Sequence, residues 1–468
     1  MTYAITNVTV IDMVSSDPKP NSTVIVTGNR ITAVGPFDEV EVPSGTTVVD
    51  GTGQYLMPGL WDTHVHASRD RGIEYMPLLL ATGVTGIRDM AGDFAVTQRF
   101  RAEIAAGTLD GPRVYAAGRR LNGSTYIDVE SIVVHDAQSA REAVRAQKEL
   151  GVDFIKVYSL LGREAFYAIA DESKALGLDF AGHSPFEITA LEASEAGIKS
   201  LEHLLAIVLG CSGREAEIFE DLAASVATGE KLAFIRQEIL SQLDAAVSRD
   251  DAKCAALFKT LAANRTWQMP SLFGMKILTT YGGGGPFPDA EEFKYLSNAE
   301  RGAWRASLDG FLRLLGDDFI ANRGQLYVHL KDLLRLLHEA GVPIISGTDA
   351  AAIFMVPGYS LHKELEEMVA AGMPIFDVLL SATYNPAEFF GILDDLGTVE
   401  VAKLADLVLL AANPLENIAN TQLINAVIAD GRLYDRSDLD AVLAKVEANA
   451  RAADEAARVE EEKRSVNA

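Results

Sequence analysis

Cysteine is scarce in this chain: two in 468 residues, Cys211 and Cys254, with no CxxC spacing. That scarcity excludes thiolate metal sites and a disulfide framework, and it predicts a reducing compartment. Positive charge is also short. Lys and Arg total 41 against 66 Asp and Glu, a net charge of −25. Such a balance repels phosphate backbones and anionic lipid, so neither a nucleic-acid nor a membrane partner is expected. Long apolar runs are missing too, none reaching the roughly 18 residues of a membrane span. The opening MTYAITNVTVID alternates apolar and polar residues as a strand does; a secretion signal would show a basic start and an apolar core. These absences predict a cytoplasmic address. What is present, 48% hydrophobic and 23% charged residues with 38 glycines, is the composition of a soluble enzyme with a sizeable core.

Short β-type runs at 4–10, 23–26, 31–34 and 47–49 are broken by turn signals at Asp17-Pro18, Gly28-Asn29 and Ser44-Gly45. From residue 56 the texture changes to short apolar runs followed by helical periods. Candidate strands fall at 59–63, 84–88, 113–117, 154–158, 179–182, 200–202, 266–269 and 344–346. Eight strands alternating with helices predict an α/β fold, a (β/α)8 TIM-like barrel. Strand texture returns at 397–399, 406–410 and 425–428. The two chain ends are therefore expected to pair as a small β-sandwich domain, 1–55 plus 394–434, around a barrel at 56–393. Insertions at 204–262 and 277–330 exceed barrel spacing and are expected as helical caps over its mouth. Residues 435–468 are charged and helix-prone, which predicts a solvated helical tail or, less often, an oligomer contact.

Only eight histidines occur, and their placement is informative. His64 and His66 end the first candidate barrel strand in LWDTHVH; residues i and i+2 of a strand point the same way, so both imidazoles can reach one ion. His183, His203 and Asp349 each follow a short apolar strand. In a barrel those C-terminal ends converge on one face, where barrel active sites lie. Four imidazoles and a carboxylate suit a divalent metal with open positions. Lys156 lies in the apolar strand FIKVY. Its stem either packs while its head reaches water, or the ammonium is buried and its pKa falls. A neutral amine can take up CO2 as a carbamate, in effect an added carboxylate. Four neutral histidines and one aspartate supply a single negative charge, too little for two dications; a carbamate and a hydroxide add two more.

Taken together, the sequence resembles the metal-dependent amidohydrolase superfamily. The matching pieces are MPGLWDTHVH ending at His66, GVTGIRD ending at Asp89, FIK ending at Lys156, Gly182-His183, Glu202-His203 and SGTD ending at Asp349. GTVEVAKLADLV at 397–408 and VIADGR at 427–432 match as well. The chain looks most like the imidazolonepropionase/prolidase-like branch, with Xaa-Pro dipeptidases, ochratoxin hydrolases and phenylurea or thiocarbamate hydrolases. The resemblance implies two divalent metal ions, zinc first with cobalt or manganese as alternatives. His64, His66 and Asp349 would hold one and His183 and His203 the other, bridged by carbamylated Lys156 and a hydroxide. It also implies a homo-oligomer. The LNGSTYI loop at 121–127 lacks the Gly-His expected there, and LLAI after His203 replaces a small polar run.

The implied reaction is hydrolysis of a C–N bond beside a carbonyl, with the bridging hydroxide as nucleophile and Asp349 passing its proton to the leaving nitrogen. A small-molecule amide is the expected substrate: a dipeptide, an N-acyl amino acid or an ochratoxin-like conjugate. A urea, carbamate or thiocarbamate is the alternative, and a cyclic amide comes third. A mononuclear deaminase would carry a glutamate in an HxxE pattern, which neither His183 nor His203 has. A non-catalytic relative should have lost ligands, whereas all six positions are filled. Tyr126, His135 and Tyr158 are candidate substrate contacts. Arg88 and Asp89 read as a structural ion pair, His362 as a residue that orients a neighbour, and Trp61 and Trp267 as core.

Overall fold

A computed structural model of the chain describes residues 2–68, 72–124 and 131–466. The chain starts with β1 (Thr2–Val10), β2 (Lys19–Thr27), β3 (Arg30–Pro36), β4 (Thr47–Asp50) and β5 (Tyr55–Pro58). Next come β6 (Leu60–Val65), β7 (Val84–Asp89), β8 (Arg113–Ala116), β9 (Leu121–Asn122) and β10 (Ile132–Val133). They are followed by β11 (Phe154–Val157), β12 (Asp179–Gly182), β13 (Ser200–Glu202) and β14 (Trp267–Met269). Near the other end lie β15 (Leu407–Leu410), β16 (Ile424–Ala429) and β17 (Arg432–Tyr434).

Both ends of the chain share one eight-stranded sheet, ordered β17-β16-β15-β5-β1-β2-β3 with β4 also on β1. The alternating pattern of β1 puts Ile5, Val8 and Val10 into a small core with Val24, Leu56, Leu407 and Ile428. β5 carries the chain across residue 55 into the second half of the molecule, pairing with β15 from Tyr55 to Pro58.

The remaining strands form two parallel sheets, β6-β7-β8 and β10-β9-β11-β12-β13-β14. Side chains take ladder positions where the two sheets meet. At one seam the Asp153 carboxylate accepts the Ala116 N–H at 2.7 Å, while Asp153 N–H donates to Ala116 O at 3.0 Å. At the other, residues 344–346 form no regular strand, yet Ile345 N–H donates to Gln268 O at 3.0 Å and Thr63 N–H to Ser346 O at 2.9 Å. The Asp62 carboxylate there accepts the Thr348 N–H at 3.0 Å. Continuous burial of β6, β7 and β11 is what a parallel sheet covered by helices requires, and polar residues within them, His64 and Lys156 among them, meet at the candidate site.

Helices Leu205–Gly210, Glu215–Ala227, Lys231–Val247 and Asp251–Ala263 follow β13, and Leu272–Thr280, Asn298–Leu315 and Asp317–Glu339 follow β14. Two expectations need correction here. Cys211 and Cys254, buried at the ends of two insertion helices, form a disulfide with Cα atoms 4.6 Å apart. The sequence spacing of 43 residues concealed a helix packing that sets them side by side, so cysteine usage gives no support to a reducing compartment. The terminal helix Arg436–Val466 is not solvated throughout. Leu439, Val446 and Ala450 are buried, packed on the helix Gly72–Ala81 and the turn Glu291–Tyr295, because their spacing lines one face. Among the described residues no helix is long and apolar enough to cross a membrane.

Candidate metal centre

β6 is buried over its whole length, and its period of two aims Asp62, His64 and, one step past its end, His66 to the same side. The opposite side carries Trp61, packed on Tyr115 and Phe390 at 5.8 and 5.1 Å between ring centres. Residues 347–349 run against this strand so closely that a Cβ on Gly347 would lie 2.8 Å from the His64 nitrogen and Cβ; only glycine fits. The turn that follows has φ 66° at Asp349, and it delivers the Asp349 carboxylate to Nε2 of His66 at 3.0 Å and Nε2 of His64 at 3.5 Å. Ligand atoms of His64, His66 and Asp349 all lie within 4.8 Å of one another. The His203 ring is 4.6 Å from that of His64, and the His183 ring 5.1 Å from that of His203.

Each Nδ1 of the four histidines has a partner within hydrogen-bond range. Glu202 takes that of His64 at 2.8 Å, Ala91 O that of His66 at 3.3 Å, Ser159 that of His183 at 3.2 Å and Ser271 that of His203 at 2.7 Å. At His64 and His66 those partners are acceptors, so Nδ1 carries the proton and Nε2 faces the centre, the arrangement such partners impose on metal-binding imidazoles; at His183 and His203 the serine hydroxyls hold the ring orientation. Burial, followed by the neighbouring Lys156 charge, depresses the pKa of His64 and His183; burial also leads the depression at His203. All three are neutral at pH 7, with a lone pair to give. At Asp349 burial would raise the pKa, but the His66 hydrogen bond and nearby imidazoles outweigh it and hold the carboxylate ionised.

Lys156 sits among these rings. It is 1% exposed, and its Nζ has no hydrogen-bond partner. Burial, aided by the charges of Arg120 and Arg88, lowers its pKa to about 7 although Glu202 pulls the other way. Gly182 keeps the neighbouring strand clear, since a Cβ there would meet the Val157 carbonyl oxygen at 2.2 Å and the lysine stem at 3.0 Å.

Sequence reading missed the carboxylate that organises the floor. Glu202 accepts from Arg88 Nη2 with both oxygens at 2.9 Å, and Arg88 and Lys156 keep it ionised against its burial. The partner of Arg88 is therefore Glu202, a correction to the expected Arg88–Asp89 pair: both residues stand on parallel strands with side chains turned inwards, whereas Asp89 is adjacent along β7 and points away from its neighbour. Asp62 was also missed. It accepts from Thr348 Oγ1 at 2.7 Å, and burial raises its pKa to about 7. A carboxylate two residues before His64 and another one before His203 were the available signals.

Of the candidate substrate contacts, Tyr158 lies with its ring 4.5 Å from that of His183 and the Arg120 guanidinium 4.5 Å above it. His135 is exposed ahead of the helix Ala137–Leu150, where its N–H donates to Ser139. Tyr126 lies outside the described residues. His362 bonds Thr421 and the Thr82 carbonyl, both at 2.9 Å, so it ties the helix Tyr359–Ala370 to the turn Ile418–Gln422 and to the end of the helix Gly72–Ala81. Two cavities flank the cluster. One, about 370 Å³, is lined by His66, Tyr75, Glu300 and Trp304; the other, about 40 Å³, is lined by His183, Ser159 and residues of the Lys231–Val247 helix. A larger one of about 720 Å³ lies by the N-terminal ends of β7 and β8. Its charges are already spent on one another, Arg113 with Asp406 and Arg101 with Asp153, and none of the imidazoles lines it.

Residues 295–434 match the Amidohydrolase family. The chain is 22% identical over 418 residues to adenine deaminase 3 of Rhizobium meliloti, covering 87% of this chain and 54% of that protein, so it spans about half the length of that relative. It is 23% identical to imidazolonepropionase of Pseudomonas savastanoi pv. phaseolicola, covering 83% of this chain and 87% of that one. Among solved structures it is similar to a bottromycin amidohydrolase, with a TM-score of 0.73 at 23% identity over 96% of this chain and 90% of that chain. It is also similar to a Xaa-Pro dipeptidase with bound methionine, with a TM-score of 0.66 at 21% identity over 93% and 100%. These structural likenesses are of fold: α/β, of TIM-barrel type.

Proposed function

The chain belongs to the amidohydrolase superfamily, in its imidazolonepropionase/prolidase-like branch, and from that premise we propose that it cleaves a C–N amide bond of a small molecule at a two-metal centre. It is a hydrolase acting on carbon–nitrogen bonds. The parallel segments read best as a (β/α)8 barrel spanning 56–393, with the chain-end sheet of 1–55 and 394–434 as a second domain and the helical insertions as a cap.

The donor set fits divalent ions. Four imidazoles are anchored through Nδ1 around the centre, one ionised carboxylate stands between two of them, and a buried amine without a partner sits where another acidic ligand belongs. His64, His66 and Asp349 would hold one ion and His183 and His203 the other, with Lys156 as a carbamate shared between them. When bound, zinc, or cobalt or manganese, would polarise the amide carbonyl and make water acidic enough to attack at neutral pH. Asp349 accepts the proton of the attacking water and delivers it to the leaving nitrogen, in reach of both because its carboxylate stands at the exposed rim of the cluster, 30% accessible. Glu202 fixes the His64 tautomer by accepting its Nδ1–H, and Ser271 holds the orientation of the His203 ring. The flanking cavities give the two halves of a linear amide separate places.

The observation that carries this reading is the convergence of four Nδ1-anchored histidines and Asp349 around the buried Lys156 amine. Metal-reconstituted protein should turn over linear amides in a panel of dipeptides, N-acyl amino acids, aryl ureas and lactams. Turnover confined to lactams would replace this reading with the cyclic-amide one that likeness to imidazolonepropionase favours. Absence of bound metal in purified protein would remove both.

A further inference from the structure

The Lys231–Val247 helix crosses the small cavity beside His183 and turns Glu238 and Gln242 into it. They are four residues apart, on one face of the helix. Gln242 is 1% exposed, and neither its Oε1 nor its Nε2 has a partner. A buried primary amide left unbonded costs about 1–3 kcal/mol, so its retention in a packed helix calls for a ligand. Glu238 and Ser159 line the cavity together, and the Ser159 hydroxyl meets His183 Nδ1 at 3.2 Å; burial pushes the Glu238 carboxyl up to about 7, and a bound ammonium would favour its ionised form. The walls are apolar, from Phe186, Phe219, Leu222 and Phe234. Ser184 is satisfied, donating to Ile188 O at 2.7 Å. No lysine or arginine lines the cavity.

Resting on the amide-hydrolase reading, we propose that this cavity is a subsite for a primary ammonium group of the substrate, held by the Glu238 carboxylate and the Gln242 side-chain carbonyl. The polar lining holds two acidic side chains, Glu238 and Glu202, with Ser159, Ser184, His183 and the Gln242 amide, and no lysine or arginine, so a substrate carboxylate would meet repulsion from the acids there and an ammonium would meet the Glu238 and Gln242 oxygens as acceptors. The volume of about 40 Å³ takes a head group of a few heavy atoms, with aliphatic stem against the phenyl rings. The remainder of the substrate then reaches across the histidine cluster to the larger cavity beside His66. The substrate class becomes aminoacyl amides, whose acyl half carries a free amine, in preference to N-blocked or des-amino acyl amides.

The test pairs an aminoacyl amide with its des-amino analogue carrying the same leaving group. The wild-type enzyme should favour the amine by about tenfold or more in kcat/KM. Gln242→Leu and Glu238→Gln should each bring that ratio towards one. Equal use of both substrates by the wild type, or a ratio unchanged in both variants, overturns the subsite. A second readout is independent of turnover. Butylammonium binding, measured by calorimetry, should be seen with the wild type and lost in both variants, their folding checked by circular dichroism. Amine binding without hydrolysis of any amide would sink the hydrolase reading and keep the subsite; hydrolysis without amine preference or binding would do the reverse.

Discussion

Lys156 is the residue where local chemistry and stability pull against each other. In metal-free protein its buried amine, with a pKa of about 7 against 10.5 for an ordinary lysine, binds fewer protons folded than unfolded between those two values. Stability therefore rises with pH across that window and is lost as pH falls towards 7. Lys156→Met should flatten the rise and leave the metal-free protein more stable at pH 7 by roughly 1–3 kcal/mol, read from urea midpoints. The same substitution should cut bound metal to one ion or fewer and lower kcat/KM by about 10³-fold or more; full metal content in that variant would refute the assigned role. Glu202 makes the opposite case. Replacing it with Gln removes the charge facing buried Arg88, which should cost about 3–5 kcal/mol of stability and weaken metal affinity about 10–100-fold through His64. Equilibrium unfolding and metal titration check the two effects separately.

At the scale of elements, the caps and the terminal helix hold the walls of the site. The helix Asn298–Leu315 opens with a capping box, Ser297 accepting the Glu300 N–H while the Glu300 carboxylate accepts the Ser297 N–H. It presents Trp304 and Glu300 to the cavity beside His66, where Tyr75 donates to Glu300 at 2.6 Å. Ser297→Ala should lose about 1 kcal/mol and raise KM more than it lowers kcat, which steady-state kinetics would reveal. The terminal helix contributes through its first half, where Leu439, Val446 and Ala450 are buried. Truncation after residue 435 removes buried Leu439 and Val446 and should lose about 3–5 kcal/mol. Truncation after residue 455 removes no buried side chain among the described residues and should leave the melting temperature unchanged; an equal loss in both would mean the distal half carries contacts of its own.

Over the whole molecule, a centre built from four strands and one loop would make metal, on the proposed reading, a staple of the fold. Ions that bind only the native state stabilise it by about 4 kcal/mol at 1,000 times their dissociation constant. Chelation should therefore lower the melting temperature, and stoichiometric zinc, cobalt or manganese should restore it. A melting temperature indifferent to chelator would argue that the histidines meet for another reason. The net charge of −25 acts at this scale too, repelling anionic macromolecules while drawing small cations towards the site.

Much of the architecture was legible along the chain because strand and helix periods are local. Seven of the eight candidate barrel runs, the chain-end strands apart from 397–399, and the HxH of β6 follow from alternation and from which residue types end each run; 344–346 and 397–399 form no regular strand. The residues proposed as ligands could be picked out for the same reason, each standing in or just past a short buried run. Partnerships were not. Arg88 with Glu202, Cys211 with Cys254, and Leu439 and Val446 on the Gly72–Ala81 helix join residues separated by tens to hundreds of positions, and nothing in a one-dimensional pattern says which strand faces which. Glu238 and Gln242 were invisible for a related reason: on a charged helix they look like any solvated face until packing buries them. The amino-acid order decided which groups exist and which way each local element turns them; only the packing of the sheets and the helical insertions, driven by burial of apolar surface, decided which of those groups lose water and must answer to one another.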